Sequence, residues 1–237
     1  TQKISAPLSE AARRQALEFA RRVGYLPLAL ELAASQIEDD ATWQELLEDF
    51  SDEVSRLESL DIYEREEMPN DQKRRKYSLL ACFNLSLKQL SAKQLQQFAW
   101  LGVVPEDVSL TQEMTQTLWH VNARQAHKVL RKFRAKSLVL QGARQQGAKP
   151  EDERPSYRMH DLMHDLAQQL LQQPVEPADE ETLPGLGLSV ANAHGVLLDR
   201  YRAKTTPGKD GQRWWHTLTD DGYIFAHLTW HMEQAQR

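Results

Sequence analysis

Eight histidines are spread along the 237 residues, and two pairs of them have a spacing that metals use. His160 and His164 stand four apart, as do His227 and His231, and two imidazoles on one helix face can ligate zinc. Neither pair has the glutamate placement of a zinc protease, and Asp161 and Asp165 point partly elsewhere on the helix. No metal site is therefore expected. His160 lies where a short strand gives way to a helix, so its imidazole can leave the core and donate to a phosphate oxygen near amides that favour negative charge. Its plainer role is to cap that helix. Pro27 offers a flat, donor-free ring at a rigid helix start, suited to packing on an adenine face or simply to beginning the helix. Arg124, Lys128, Arg131, Lys132 and Arg134 form a basic helix of the kind that reads DNA in a winged-helix regulator. The same cations also make an ordinary polar face opposite a core stripe.

Phosphate hydrolysis needs a Gly-rich loop ending in Lys and Ser or Thr, with an acidic magnesium ligand on a following strand. Neither occurs in this sequence. Gly142 to Lys149 comes nearest but lacks the glycine-lysine-hydroxyl ending and runs into Pro150 and acids. It reads as a hairpin tip.

The elements that must position these residues are mostly helices. Ser9 is placed to cap a helix carrying Ala16, Leu17, Ala20 and Val23, which Gly24 stops. Pro27 opens a second with Ala29, Leu32, Ala33 and Ile37 inward. Thr42 and Glu45 make a capping box for a third, bearing Trp43, Leu46, Leu47, Phe50, Val54 and Leu57. Three helices thus close a small bundle over residues 1–60. Glu38, Asp39, Asp40, Glu48, Asp49, Asp52 and Glu53 cluster as its solvated face. The charged stretch 61–76 reads as a linker.

A second domain over 77–174 begins with a helix through Leu79, Leu80, Phe83, Leu87 and Leu90. Ser91 and Gln94 cap the next, with Leu95, Phe98 and Ala99, and Asn122 opens another with Ala126, Val129, Leu130 and Phe133 inward. The period then changes. Leu138 to Leu140 and Tyr157 to Met159 read as the two strands of a hairpin, followed by a helix from Asp161 with Met163, Leu166, Ala167 and Leu170. Helices followed by a hairpin predict a winged helix. A proline- and acid-rich linker, 175–187, leads to a helical connector over 188–237. Its last helix, with Tyr223, Phe225 and Trp230, has an apolar surface expected to pack on the winged helix or on a further domain downstream. The fold class expected is mainly α: a small helical bundle, a winged-helix domain with a short hairpin, and a C-terminal helical connector.

Composition narrows the partners. A formal charge of -5 and a pI near 5.9 argue against whole-surface attraction to nucleic acid or anionic lipid. There is no run of eighteen apolar residues and no basic-then-apolar leader, which predicts a soluble cytoplasmic chain with no membrane partner. Cys82 is the single cysteine and sits in an apolar helical pattern, so a buried thiol is expected. The chain starts at Thr1 and ends in a patterned segment, as expected for a piece of something larger.

The run Gly24-Tyr25-Leu26-Pro27-Leu28-Ala29-Leu30 resembles the GLPLAL motif of the NB-ARC family of signalling ATPases. Further landmarks follow in family order. Phe83-Asn84-Leu85-Ser86-Leu87 is similar to the opening of that family's winged helix, Trp119 and the Ala126 to Leu140 stretch to its middle, and Tyr157-Arg158-Met159-His160-Asp161-Leu162 to its MHD motif. The likeness spans Pro7 to Leu171. More loosely, Asp220-Asp221-Gly222-Tyr223 and His227 to His231 resemble the connector before WD or helical repeats in bacterial members.

The resemblance implies the regulatory part of a nucleotide switch and no enzyme activity in the chain itself. Pro27 would touch adenine and His160 the β-phosphate of ADP. Asp161 would cap the helix and orient the loop, and Gly24, Leu28 and Met159 would complete the nucleotide-binding set. ADP or ATP is the implied cofactor, with magnesium held by an upstream nucleotide-binding domain. A downstream repeat or sensor domain and homo-oligomerisation on activation are the implied partners. The alternative is a winged-helix DNA-binding module.

Overall fold

The computed structural model of the chain describes residues 9–61, 70–142, 155–209 and 211–237. Among these residues it is mainly helical, with one two-stranded antiparallel sheet, and the chain divides into two compact units, Thr1–Leu90 and Ser91–Arg237. No helix among the described residues is long and apolar enough to cross a membrane.

The first unit holds α1 (Glu10–Arg22), α2 (Pro27–Glu38), α3 (Trp43–Asp61) and α4 (Asn70–Lys88). Local chemistry sets most of its boundaries. Ser9 accepts the Ala12 amide at the start of α1, and Thr42 and Glu45 bond reciprocally at the start of α3. The end of α1 is a Schellman turn: Gly24 (φ 63°) and Tyr25 (φ 56°) are both left-handed, and their amides reach back to Arg21 and Ala20. Phe19 packs edge-on against Phe50 at 5.3 Å, with Leu32, Leu46, Phe83 and Leu87 buried in the same unit. Cys82 is buried here too, and burial pushes its thiol up to about 12.

Two features of this unit depart from the sequence reading. Helix α4 packs on α2 and α3, so Tyr77 to Lys88 lie with the first unit rather than opening the second. The residues that look like the winged-helix opening, Phe83 to Leu87, are therefore part of the bundle. Within the expected linker, 62–69 lie outside the described residues. The inward face of α2 also includes a polar residue: Gln36 is buried and bonds Ser86 and Gln89, while Ile37 is only half-buried. A polar group can be buried when its partners are built in.

The second unit begins with α5 (Ala92–Ala99), capped reciprocally by Ser91 and Gln94. A single 3₁₀ turn, Trp100–Val103, follows, then α6 (Gln112–Trp119) and α7 (Ala123–Ala135). Strands β1 (Leu140–Gln141) and β2 (Tyr157–Arg158) pair antiparallel, with Leu140 opposite Arg158. Leu110 bridges Tyr157 on the other side of β2. Both strands are shorter than the pattern predicts, and Leu138 and Val139 are buried just before β1 rather than within it. The expected hairpin tip, apart from Gly142, lies outside the described residues. Helix α8 (Asp161–Gln172) packs on the 3₁₀ turn and α5. Trp119 donates its indole N–H to the Gln97 carbonyl, and its ring meets Phe133 edge-on, as does that of Phe98.

The chain ends with α9 (Val190–Ala203), a 3₁₀ turn at Trp215–Thr217, and α10 (Ile224–Gln234). Helix α10 packs on α9 within the same unit. Tyr223, Ile224 and His231 are buried there, while Phe225 remains exposed.

Candidate functional site

The motif residues of the first unit lie at the turn between α1 and α2. The left-handed pair Gly24 and Tyr25 reverses the chain, and Pro27 takes the first position of α2. Leu26 precedes it with no side-chain cap. Gly24 and Pro27 are exposed, Leu28 is half-buried, and Ala29 turns into the core. The sequence Gly-X-Leu-Pro thus ends one helix, starts the next and leaves a flat ring facing outward.

The motif residues of the second unit lie between β2 and α8. Met159 is buried, His160 is exposed, and Asp161 is the first residue of α8. The helix cap is His160 itself, which corrects the expectation that Asp161 caps it: His160 Nδ1 accepts the Leu162 amide at 3.3 Å. An Nδ1 that accepts fixes the neutral ring as its Nε2–H tautomer, so the exposed edge of the imidazole is a donor. The Leu162 amide is used by this cap, and the Met163 amide bonds the His160 carbonyl. Among the described residues, the donors left at this helix end are the Asp161 amide and His160 Nε2. The Asp161 carboxylate suits the helix dipole there.

Neither histidine pair acts as a pair. His231 is buried, with Nδ1 at 2.7 Å from His194 Nδ1 and Nε2 at 2.6 Å from the Tyr223 hydroxyl. Both of its nitrogens are engaged away from His227. His164 turns into the protein, with Nε2 at 2.7 Å from the Val104 carbonyl, while His160 caps the helix.

No protein-family model and no curated protein matches this chain.

Two arrangements were not legible in the sequence. His164 comes together with Glu106 and Asp165, their ligand atoms all within 4.8 Å of one another. Nothing in the sequence pairs His164 with a residue nearly sixty positions earlier. The other is a groove of about 740 Å³ between α5 and α7, lined by Lys93, Arg124, His127, Lys128, Arg131 and Lys132 among others. The charge on α7 was visible as a stripe, with Ala126, Leu130 and Phe133 buried behind it. The depth of the groove beside it depends on how α5 packs.

Proposed function

We propose that this chain is the regulatory part of an NB-ARC-type signalling ATPase, holding ADP against a phosphate-loop domain of the same protein and releasing it on exchange for ATP. The observation that carries the reading is His160: an exposed imidazole at a helix start, its Nδ1 used by the cap and its Nε2–H left to donate. That is the edge a β-phosphate oxygen would need. Pro27, with Gly24 and Leu28 beside it, supplies the flat exposed surface for an adenine ring. Met159 anchors the strand before His160, and Asp161 stabilises the helix after it. The order α5, α6, α7, β1, β2, with Leu110 bridged to Tyr157, agrees with the winged helix this reading requires, a body that would swing as one piece.

The energetics suit a switch. A hydrogen bond to a charged phosphate is worth about 1.5–3 kcal/mol, so its loss would shift a closed–open balance by roughly ten- to a hundredfold. A stimulus sensed by a further domain would loosen the clamp, and exposed surfaces would then assemble protomers in the cytoplasm.

The test separates ligand from cap. In the full-length protein, His160→Ser keeps a good helix cap but replaces the imidazole Nε2–H by a hydroxyl too short to reach as far, whereas His160→Ala removes cap and donor alike. The reading expects both variants to purify with less ADP and to signal without stimulus. Normal ADP retention in the serine variant would reduce His160 to a cap and end the assignment.

The basic groove favours a second reading, a DNA-binding winged helix. Its signature is duplex affinity that falls steeply with salt, with a log–log slope of about -0.9 per phosphate contacted, and that is lost on reversing Lys128 and Arg131 to Glu. Retention of ADP would not change in that variant.

A further inference from the structure

Outside the nucleotide site, one buried histidine has a lone pair with no hydrogen-bond partner. His164 lies on the inner face of α8 at 7% exposure, with Nε2 at 2.7 Å from the Val104 carbonyl oxygen. A carbonyl can only accept, so Nε2 carries the proton and the neutral ring presents Nδ1 as an acceptor. That Nδ1 is sealed from solvent and has no hydrogen-bond donor. It faces Glu106 Oε1 at 3.9 Å, and the Asp165 carboxylate completes a group whose ligand atoms lie within 4.8 Å of one another. A buried acceptor aimed at two carboxylates is costly unless something positive stands among them.

We propose that His164 Nδ1, Glu106 and Asp165 bind one divalent transition-metal ion of the zinc class. The donor set, one imidazole and two carboxylates, is one that zinc accepts and that calcium and magnesium, which take oxygen ligands, do not favour. The second contact of His164 has the form metal-bound histidines show, a ring N–H given to a backbone carbonyl that fixes the tautomer and aims the other nitrogen. Tetrahedral ligands about 2.0–2.2 Å from zinc stand roughly 3.4 Å apart. The ligand atoms lie within 4.8 Å of one another, and the exposed carboxylates of Glu106 and Asp165 would close on the ion by side-chain rotation. A small cavity lined by Val104, Glu106, Asp161 and His164 adjoins the group. Three protein ligands leave a fourth position for water. The ion would tie the loop before α6 to the first turns of α8.

The competing occupant is a proton on Nδ1, which would make an imidazolium beside Glu106. Titration of the purified chain with cobalt and with zinc distinguishes them. The proposal expects one ion per chain, a visible cobalt absorption displaced by zinc, no displacement by calcium, and a higher melting temperature when zinc is bound. Because His164 is buried and its replacement would also disturb packing, the deciding variants are the exposed ligands. Glu106→Gln and Asp165→Asn should each weaken zinc binding by about tenfold or more, and the double variant should abolish the cobalt band while folding normally. Zinc binding unchanged in the double variant, equal competition by calcium, or no stoichiometric zinc would each overturn the site. None of these outcomes touches the nucleotide reading, which rests on other side chains.

Discussion

His194 on α9 and His231 on α10 meet Nδ1 to Nδ1 at 2.7 Å, both buried, and His231 passes on to the Tyr223 hydroxyl at 2.6 Å. One proton satisfies the contact between the rings, one nitrogen donating and the other accepting. A second would set two N–H groups head to head. The rings share this small core with Trp230 and, through Tyr223, with His227. Asp221 accepts the Tyr201 hydroxyl and the amides of Tyr223 and Ile224.

This pair predicts an acid-labile C-terminal end. Burial holds His194 down to about 4, and burial, followed by the neighbouring charges of His194 and His227, holds His231 down to about 3. A histidine depressed in the folded state is protonated first in the unfolded state. The stabilisation is therefore complete above the ordinary histidine value near 6.5 and drains away as pH falls toward 4. Urea unfolding at pH 7 and pH 5 should show a loss of roughly one to three kcal/mol per pH unit below about 6.5. His231→Phe, already weakened by an orphaned Tyr223 hydroxyl, should show a flatter slope; an unchanged slope would show that the pair is not its source.

Glu53 gives the opposite sign. It is buried on α3 and takes bonds from Arg56, from Asn84 at 2.9 Å and from Lys88 at 2.9 Å. Burial alone would raise its carboxyl, but the bonds from Arg56, Lys88 and Asn84 outweigh it and hold the group below its usual value. Its contribution is full above the unfolded carboxylate value near 4.5 and is lost as pH falls through the lower folded one. Glu53→Ala should destabilise the first unit by about 3 kcal/mol, because two cations and an amide lose their shared acceptor. Chemical denaturation at pH 7 measures it, and a loss under about 1 kcal/mol would place Glu53 among ordinary surface pairs.

Gly102 sets how closely α8 approaches the 3₁₀ turn beneath it. A Cβ at this position would stand 2.4 Å from the Gln168 amide nitrogen and 2.6 Å from its Cα. Those are backbone atoms of α8 and cannot rotate away. Gly102→Ala should therefore lift α8, and with it His160 and His164, at a cost of about 3 kcal/mol or more by overpacking. A thermal melt of the isolated variant tests this, and a native-like melting temperature would mean that the contact relaxes freely.

What the sequence made legible was mostly local. The caps at Ser9, Thr42, Ser91 and Asn122 and the glycine stop at Gly24 depend on residues within one turn of one another, and spacing alone reveals them. Helix α6 was not legible. It has only eight residues, and its buried set, Met114, Thr115, Thr117, Leu118 and Trp119, includes two threonines that mask the period. Glu53 read as one more acid on a solvated face because its partners Asn84 and Lys88 lie more than thirty residues away. The same distance hid the candidate chemistry. His231 was paired in sequence with His227 but bonds His194, 37 positions earlier, and His164 was paired with His160 but bonds Val104, 60 earlier. Helical spacing shows which residues share a face, while the partner across that face is set by tertiary packing.

The attachment of α9 to α6 rests on two cations at a helix end. Arg200 donates to the Leu118 carbonyl and lays its guanidinium over the Trp100 ring at 4.2 Å, and Lys204 donates to Thr117 Oγ1 at 2.5 Å. The last carbonyls of α6 have no partner inside the helix and carry the negative end of its dipole, so cations are favoured there. Arg200→Ala should cost about 2–3 kcal/mol, because it removes a charge-assisted bond together with a partly desolvated cation–π stack. Arg200→Lys keeps the charge but not the planar stack and should recover less than half of that. If lysine restores full stability in urea unfolding, the charge at the helix end suffices and the stacking on Trp100 contributes nothing measurable.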